Sequence, residues 1–218
     1  TIAPSLCQRL DAPQGGAAPS GPQGDLAGTW TILQASNPGG AGAYTGTVSM
    51  VRTGEPYQLT WSIGSSSFSG VAIDMGSQLS VGWSQGGGSV GVVAYRVQDG
   101  TLDGVWATAG VAGALGVERL AGPPGLSGVY SIVEGRTPTG GSYKGTVTLA
   151  PVGSTYHLEW RIGAEHYVGV GVLRDGILSV GWGNASVGVV SYVKTQGQLD
   201  GAWATYGGGA LGHELLGR

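Results

Sequence analysis

The chain has 218 residues, 41% of them apolar, which suits one large or two small folded domains and is too hydrophobic for a solvated disordered polymer. Charged residues make up only 11% and the net charge is −3, so no basic field exists to neutralise phosphates, and nucleic-acid binding is disfavoured. Forty-five glycines occur without the every-third spacing of collagen, no apolar run approaches a transmembrane helix, and the single Cys7 leaves no internal disulfide or thiolate zinc cluster.

Residues 1–25 form a Pro/Gly/Ala/Gln-rich tail with too little apolar surface to fold alone. Within it Ile2, Leu6 and Leu10 follow Pro4-Ser5 at near-helical spacing, which points to a short turn anchoring the chain on a protein partner. The start at Thr1, with few lysines and abundant Gly, Ser, Thr and Trp, fits a periplasmic or secreted protein whose signal peptide has been removed.

After the tail the chain is two copies of one unit. Tyr44-Thr45-Gly46-Thr47-Val48 corresponds to Tyr143-Lys144-Gly145-Thr146-Val147, and Leu79-Ser80-Val81-Gly82-Trp83 to Leu178-Ser179-Val180-Gly181-Trp182. Leu102-Asp103-Gly104-Val105-Trp106 recurs as Leu199-Asp200-Gly201-Ala202-Trp203, with Glu118 and Glu214 following in register. The units run over 26–120 and 128–218, joined by a Gly/Pro linker at 121–127.

Inside a unit the apolar period is two. Tyr57, Leu59, Trp61 and Ile63 alternate with Gln58, Thr60 and Ser62, and the pattern repeats in Tyr156, Leu158, Trp160 and Ile162. Short runs of this kind predict eight strands in the first unit, at 28–35, 43–52, 56–63, 67–73, 78–83, 89–97, 100–108 and 113–120, with no long helix. Glycines within the strands, among them Gly91 and Gly188, leave bare backbone on which tryptophan rings can lie. Closure at eight strands removes sticky edges, so the expected fold is all-β: two tandem antiparallel up-and-down barrels, one per repeat. In that arrangement 28–35 pairs with 113–120, and Gly86-Gly87-Gly88 and Gly207-Gly208-Gly209 serve as hairpin loops.

The order of Gly28-Thr29-Trp30, Tyr44-Thr45-Gly46-Thr47, Trp61, Phe68-Ser69-Gly70, Trp83 and Trp106 resembles the avidin and streptavidin family, and the Gly-x-Trp start is similar to the wider lipocalin group. The resemblance implies a barrel whose ligand cavity is lined by tryptophans at Trp61, Trp83 and Trp106, and by Trp160, Trp182 and Trp203 in the second unit. It does not extend to the family's polar ligand contacts: Val48 and Met50 stand where a tyrosine and a serine would be expected, and no Asp lies in the last strand. The repeat also resembles short secreted bacterial proteins of unassigned role.

Two readings of the tryptophans compete. Eight-stranded barrels are normally filled by side chains, which favours a core; a cage of indoles for a small apolar ligand is the alternative. Glu118 and Glu214 invite a buried functional carboxylate, against the plainer reading of a surface or hydrogen-bonded structural residue near barrel closure. Asp103 and Asp200 read as turn or strand-entry residues bonding local backbone. All three histidines, His157, His166 and His213, lie in the second unit, so no duplicated metal site is expected, and neither a metal nor another cofactor is implied. No nucleophile elbow, phosphate loop or zinc-protease motif occurs. The expected function is a non-catalytic binding or accessory protein, with the barrels as a rigid platform and the tail on a protein partner; the alternative is a carrier of small apolar or aromatic molecules.

Overall fold

The computed structural model describes residues 24–85, 89–184 and 186–218; the tail anchors Ile2, Leu6 and Leu10, and Cys7, lie outside them. The first repeat supplies β1 (Gly28–Ser36), β2 (Thr47–Arg52), β3 (Tyr57–Ile63), β4 (Ser66–Asp74), β5 (Gln78–Gln85), β6 (Val90–Gln98), β7 (Thr101–Thr108) and β8 (Gly116–Ala121). The second supplies β9 (Gly128–Arg136), β10 (Thr146–Val152), β11 (Thr155–Ile162), β12 (Glu165–Arg174), β13 (Ile177–Gly183), β14 (Gly188–Thr195), β15 (Gln198–Thr205) and β16 (Gly212–Gly217). These are the eight expected strands per repeat, although 43–46 and 113–115 belong to loops.

The strands close into two eight-stranded antiparallel barrels, but each barrel takes strands from both repeats. One barrel is continuous in the chain, β6 to β13, and closes by pairing β6 with β13. The other is split: β1–β5 and β14–β16 close around it through β5 with β14 and β1 with β16. The expected barrels at 26–120 and 128–218 are therefore corrected to 90–183 and to 28–85 with 188–217. The expected pairing of the first and last strands within each repeat is replaced by β1 with β16 and β8 with β9. The expected hairpin loop at 86–88 lies outside the described residues, and the strands on either side of it, β5 and β6, belong to different barrels, whereas Gly207–Gly209 does connect the paired strands β15 and β16.

The reason is a degeneracy of partners. Trp83 on β5 lies on Gly188 of β14, and Trp182 on β13 lies on Gly91 of β6; a Cβ on either glycine would sit 2.2 Å from the indole. Because the repeats carry the same residues at these places, the alternating pattern fits either copy of the sixth strand. The contacts between barrels accompany the exchanged arrangement. Strands β5 and β13 touch back to back at Gly82 and Gly181, where a Cβ on Gly82 would stand 2.1 Å from the Gly91 carbonyl oxygen and 3.3 Å from the Gly181 Cα. Two outward-facing apolar seams flank this crossing: Val71 and Ile73 with Val92 and Ala107, and Val170 and Val172 with Val189 and Ala204.

Polar contacts add to the seam. The Ser80 and Ser179 hydroxyls meet at 2.7 Å. On one side only, Arg174 donates to the carbonyls of Ser191 and Asp200, at 3.1 and 2.8 Å, while the Gln78 amide donates to the Arg174 carbonyl. The barrels also brace each other's loops. The Glu55 N–H donates to the Gly113 carbonyl, and the Ser154 N–H donates to the Gly209 carbonyl at 2.8 Å.

Each barrel is filled at one end. In the split barrel Trp30, Ile32, Val48, Met50 and Leu59 pack with Leu79, Leu199 and Leu216. The Trp30 indole donates to the Leu26 carbonyl at 2.9 Å, and the Arg218 guanidinium lies 4.3 Å above its ring. Tyr130 occupies the same place in the continuous barrel and donates to the Pro123 carbonyl at 3.0 Å.

Cleaving the β8–β9 connection, with a protease site introduced at 123–125, should leave the halves of the chain co-eluting in native size exclusion, since strand pairing of both barrels crosses the cut. Separation of the halves without denaturant would show instead that each repeat closes on itself.

Candidate ligand cavities

Alternation on β3, β5 and β15 turns Trp61, Trp83 and Trp203 into the split barrel, and the same positions on β11, β13 and β7 turn Trp160, Trp182 and Trp106 into the continuous one. The sets expected from the repeats, 61/83/106 and 160/182/203, are thus regrouped: strand exchange trades Trp106 for Trp203. Trp61 and Trp160 are deeply buried, while the other four are half-buried toward the open end.

These rings do not fill the barrels. A cavity of about 210 Å³ remains in the split barrel and one of about 240 Å³ in the continuous barrel. An aromatic belt runs around each. In the split barrel Phe68, Trp83, Trp203 and Tyr44 meet edge to face in succession, with ring centroids 5.5, 6.0 and 6.2 Å apart. In the continuous barrel Tyr167, Trp182, Trp106 and Tyr143 do the same at 5.5, 6.0 and 6.3 Å.

At the wall of each cavity lies a carboxylate. Glu118 and Glu214 are 3% and 2% exposed, so the surface reading of these residues is replaced by a buried one. The Trp61 indole donates to Glu214 Oε1 at 3.2 Å, Tyr192 donates to the same oxygen, and Tyr44 donates to Oε2 at 3.1 Å. Around Glu118 the set is Trp160 at 3.0 Å and Tyr95 on Oε1, with Tyr143 on Oε2 at 3.0 Å. Each Oε2 thereby keeps one acceptor position beyond its tyrosine bond.

Burial is the main cause that pushes both carboxyls above the ordinary value of 4.5, against the pull of the three donors, with His213 adding a further downward pull on Glu214. Burial and the neighbouring carboxylate push the phenols of Tyr44, Tyr95, Tyr143 and Tyr192 well above 10, so all four remain donors. Among the described residues no hydrogen bond reaches the buried N–H groups of Trp106 and Trp203, each of which lies beside a belt tyrosine.

Sequence reasoning missed the four tyrosines. Tyr44 and Tyr143 lie in loops that fold back over the barrel after Ser36 and Arg136, where isolated bridges pair Ser36 with Ala43 and Arg136 with Ser142. Their repetition in the two Tyr-x-Gly-Thr-Val blocks was the available signal.

The remaining candidates lie elsewhere. Asp103 and Asp200 stand near the starts of β7 and β15, as strand-entry residues would, but their side chains reach across to the neighbouring strand, Asp103 to Arg119 and Asp200 to His213 at 2.9 Å. His166 approaches Glu159, and His157 contacts the Gly208 carbonyl and stacks on Tyr206, which leaves the three imidazoles in three separate settings. Compared with family models, curated proteins and solved structures, the chain matches none.

A carboxyl raised on folding binds protons more readily in the folded than in the unfolded chain. Its stabilising contribution is complete below about pH 4.5 and is lost as pH rises through the folded value. The melting temperature of the wild type relative to an E118Q/E214Q variant should therefore fall from pH 4.5 toward neutrality, as followed by circular dichroism. A relative rise over that range would contradict the buried carboxyls described here.

Proposed function

We propose that the chain is a non-catalytic binding protein or carrier that holds one small molecule in each barrel, by an apolar, flat body against the aromatic belt and one hydrogen-bond donor on the glutamate Oε2. The observation that carries this reading is the duplicated cavity: two spaces of about 210 and 240 Å³, each bordered by three tryptophans, a tyrosine and a buried carboxylate in the same relative places. A barrel interior meant only as core would be packed to solid density. The carboxylate is fixed by three donors whose phenols resist deprotonation, an arrangement suited to orienting a ligand and poorly suited to passing protons.

This reverses the order of the two functions expected from the sequence. The platform reading rests on the tail at 1–25, whereas the carrier reading rests on described geometry. A secreted or periplasmic setting remains part of the proposal on composition alone.

Calorimetric titration with indole, a flat apolar probe with a single N–H donor, should give two sites per chain. Val190 lines one cavity and Val93 the other, so V190F and V93F should each remove one site and leave its counterpart. Absence of heat with the wild type, or unchanged stoichiometry in both variants, would overturn the proposal.

A further inference from the structure

The charge balance inside the cavities narrows the ligand class. Glu118 and Glu214 face only neutral donors: two phenols and one indole each. Among the described residues neither forms an ion pair with a lysine or arginine; the ion pairs these residues do form lie elsewhere, on Arg119, Arg136, Arg174, Lys194 and two histidines. His213, beside Glu214 on β16, is engaged with Asp200 at 2.9 Å, and the first repeat has Val117 in its place. Two buried carboxylates thus lack a counter-ion, in the same position of two barrels.

The surroundings are those that a cation meets well. The π-faces of aromatic rings carry negative potential, and five rings, the four of the belt and the deep indole, border each cavity together with the carboxylate. Among the described residues only Tyr44 and Tyr143 donate to Oε2, which leaves each oxygen a further acceptor position. An anion would meet a carboxylate and ring faces of the same sign. A neutral donor would satisfy Oε2 and leave the charge unpaired.

Resting on the carrier reading above, we propose that the ligand of each barrel is a small organic monocation, a protonated amine on a flat or compact apolar body, whose N–H donates to Oε2 of Glu118 or Glu214 while the aromatic belt encloses the rest. The cation supplies a counter-ion whose charge offsets the desolvation holding these carboxyls above their ordinary value. Nothing in this binding step makes or breaks a covalent bond.

A charge series on one skeleton tests it: 2-phenylethylamine, 2-phenylethanol and 3-phenylpropionate, titrated calorimetrically into the full chain at neutral pH. The expected result is that the amine binds at least about tenfold more tightly than the alcohol and the acid most weakly, tenfold being about 1.4 kcal/mol. In E118Q/E214Q, shown folded by circular dichroism, the amine's advantage over the alcohol should disappear. If the alcohol or the acid equals or exceeds the amine in the wild type, the cation proposal falls and the carrier reading stands. If none of the three binds and indole does not bind either, both fall. The wild-type series decides the matter even where the double variant fails to fold.

Discussion

A carboxylate without a cation can be buried only if hydrogen-bond donors surround it, and that requirement organises the upper half of each barrel. Glu214 draws Tyr192 from β14, Trp61 from β3 and Tyr44 from the β1–β2 loop onto one point. Three segments distant in sequence are thereby tied across the barrel interior, and the loop carrying Tyr44 is pulled over the mouth. With the tyrosines and the deep indole held in this way, the half-buried tryptophans next to them have fixed neighbours against which to stand edge to face. The space left over is a consequence of the polar geometry: side chains pointed at the carboxylate cannot also fill the centre. Below it, where no charge has to be served, leucine, valine and methionine close the barrel completely.

Strand exchange links the two sites without giving them a common wall. The continuous barrel carries β6–β8 of the first repeat and β9–β13 of the second, so each carboxylate is assembled from both copies of the unit: Glu118 and Tyr95 from one, Trp160 and Tyr143 from the other. Each repeat therefore supplies residues to both cavities. The arrangement also explains the unusual demand for glycine. Where β5 and β13 lie back to back, main chains are so close that any Cβ at Gly82 or Gly181 would collide with a carbonyl of the strand beyond.

Much of this could be read from residue order alone. Period-two alternation in Tyr57–Ile63 and Tyr156–Ile162, with glycine and proline at the breaks, gave the strands, and the repetition of whole blocks gave two barrels. Pairing between repeats was hidden for a physical reason: β6 and β14 offer nearly the same face to β5, so alternation carries no information on which copy is chosen. The regrouping of Trp106 and Trp203 follows from that one ambiguity. Glu118 and Glu214 stood out as rare repeated charges, yet their burial depends on tyrosines 22 to 170 residues away in the chain, which no local pattern brings together. Hollow and filled interiors likewise share one binary pattern, because both ask for apolar side chains facing inward.

The split barrel has a consequence for the order in which the molecule can be made. By the time residue 183 has left the ribosome, every strand of the continuous barrel is present and its edges can close. The five strands β1–β5, synthesised first, must wait for the last thirty or so residues, keeping β1 and β5 as open edges meanwhile. The second barrel to be completed is thus the one whose synthesis began first, and the nascent chain carries an unfinished sheet through most of its elongation.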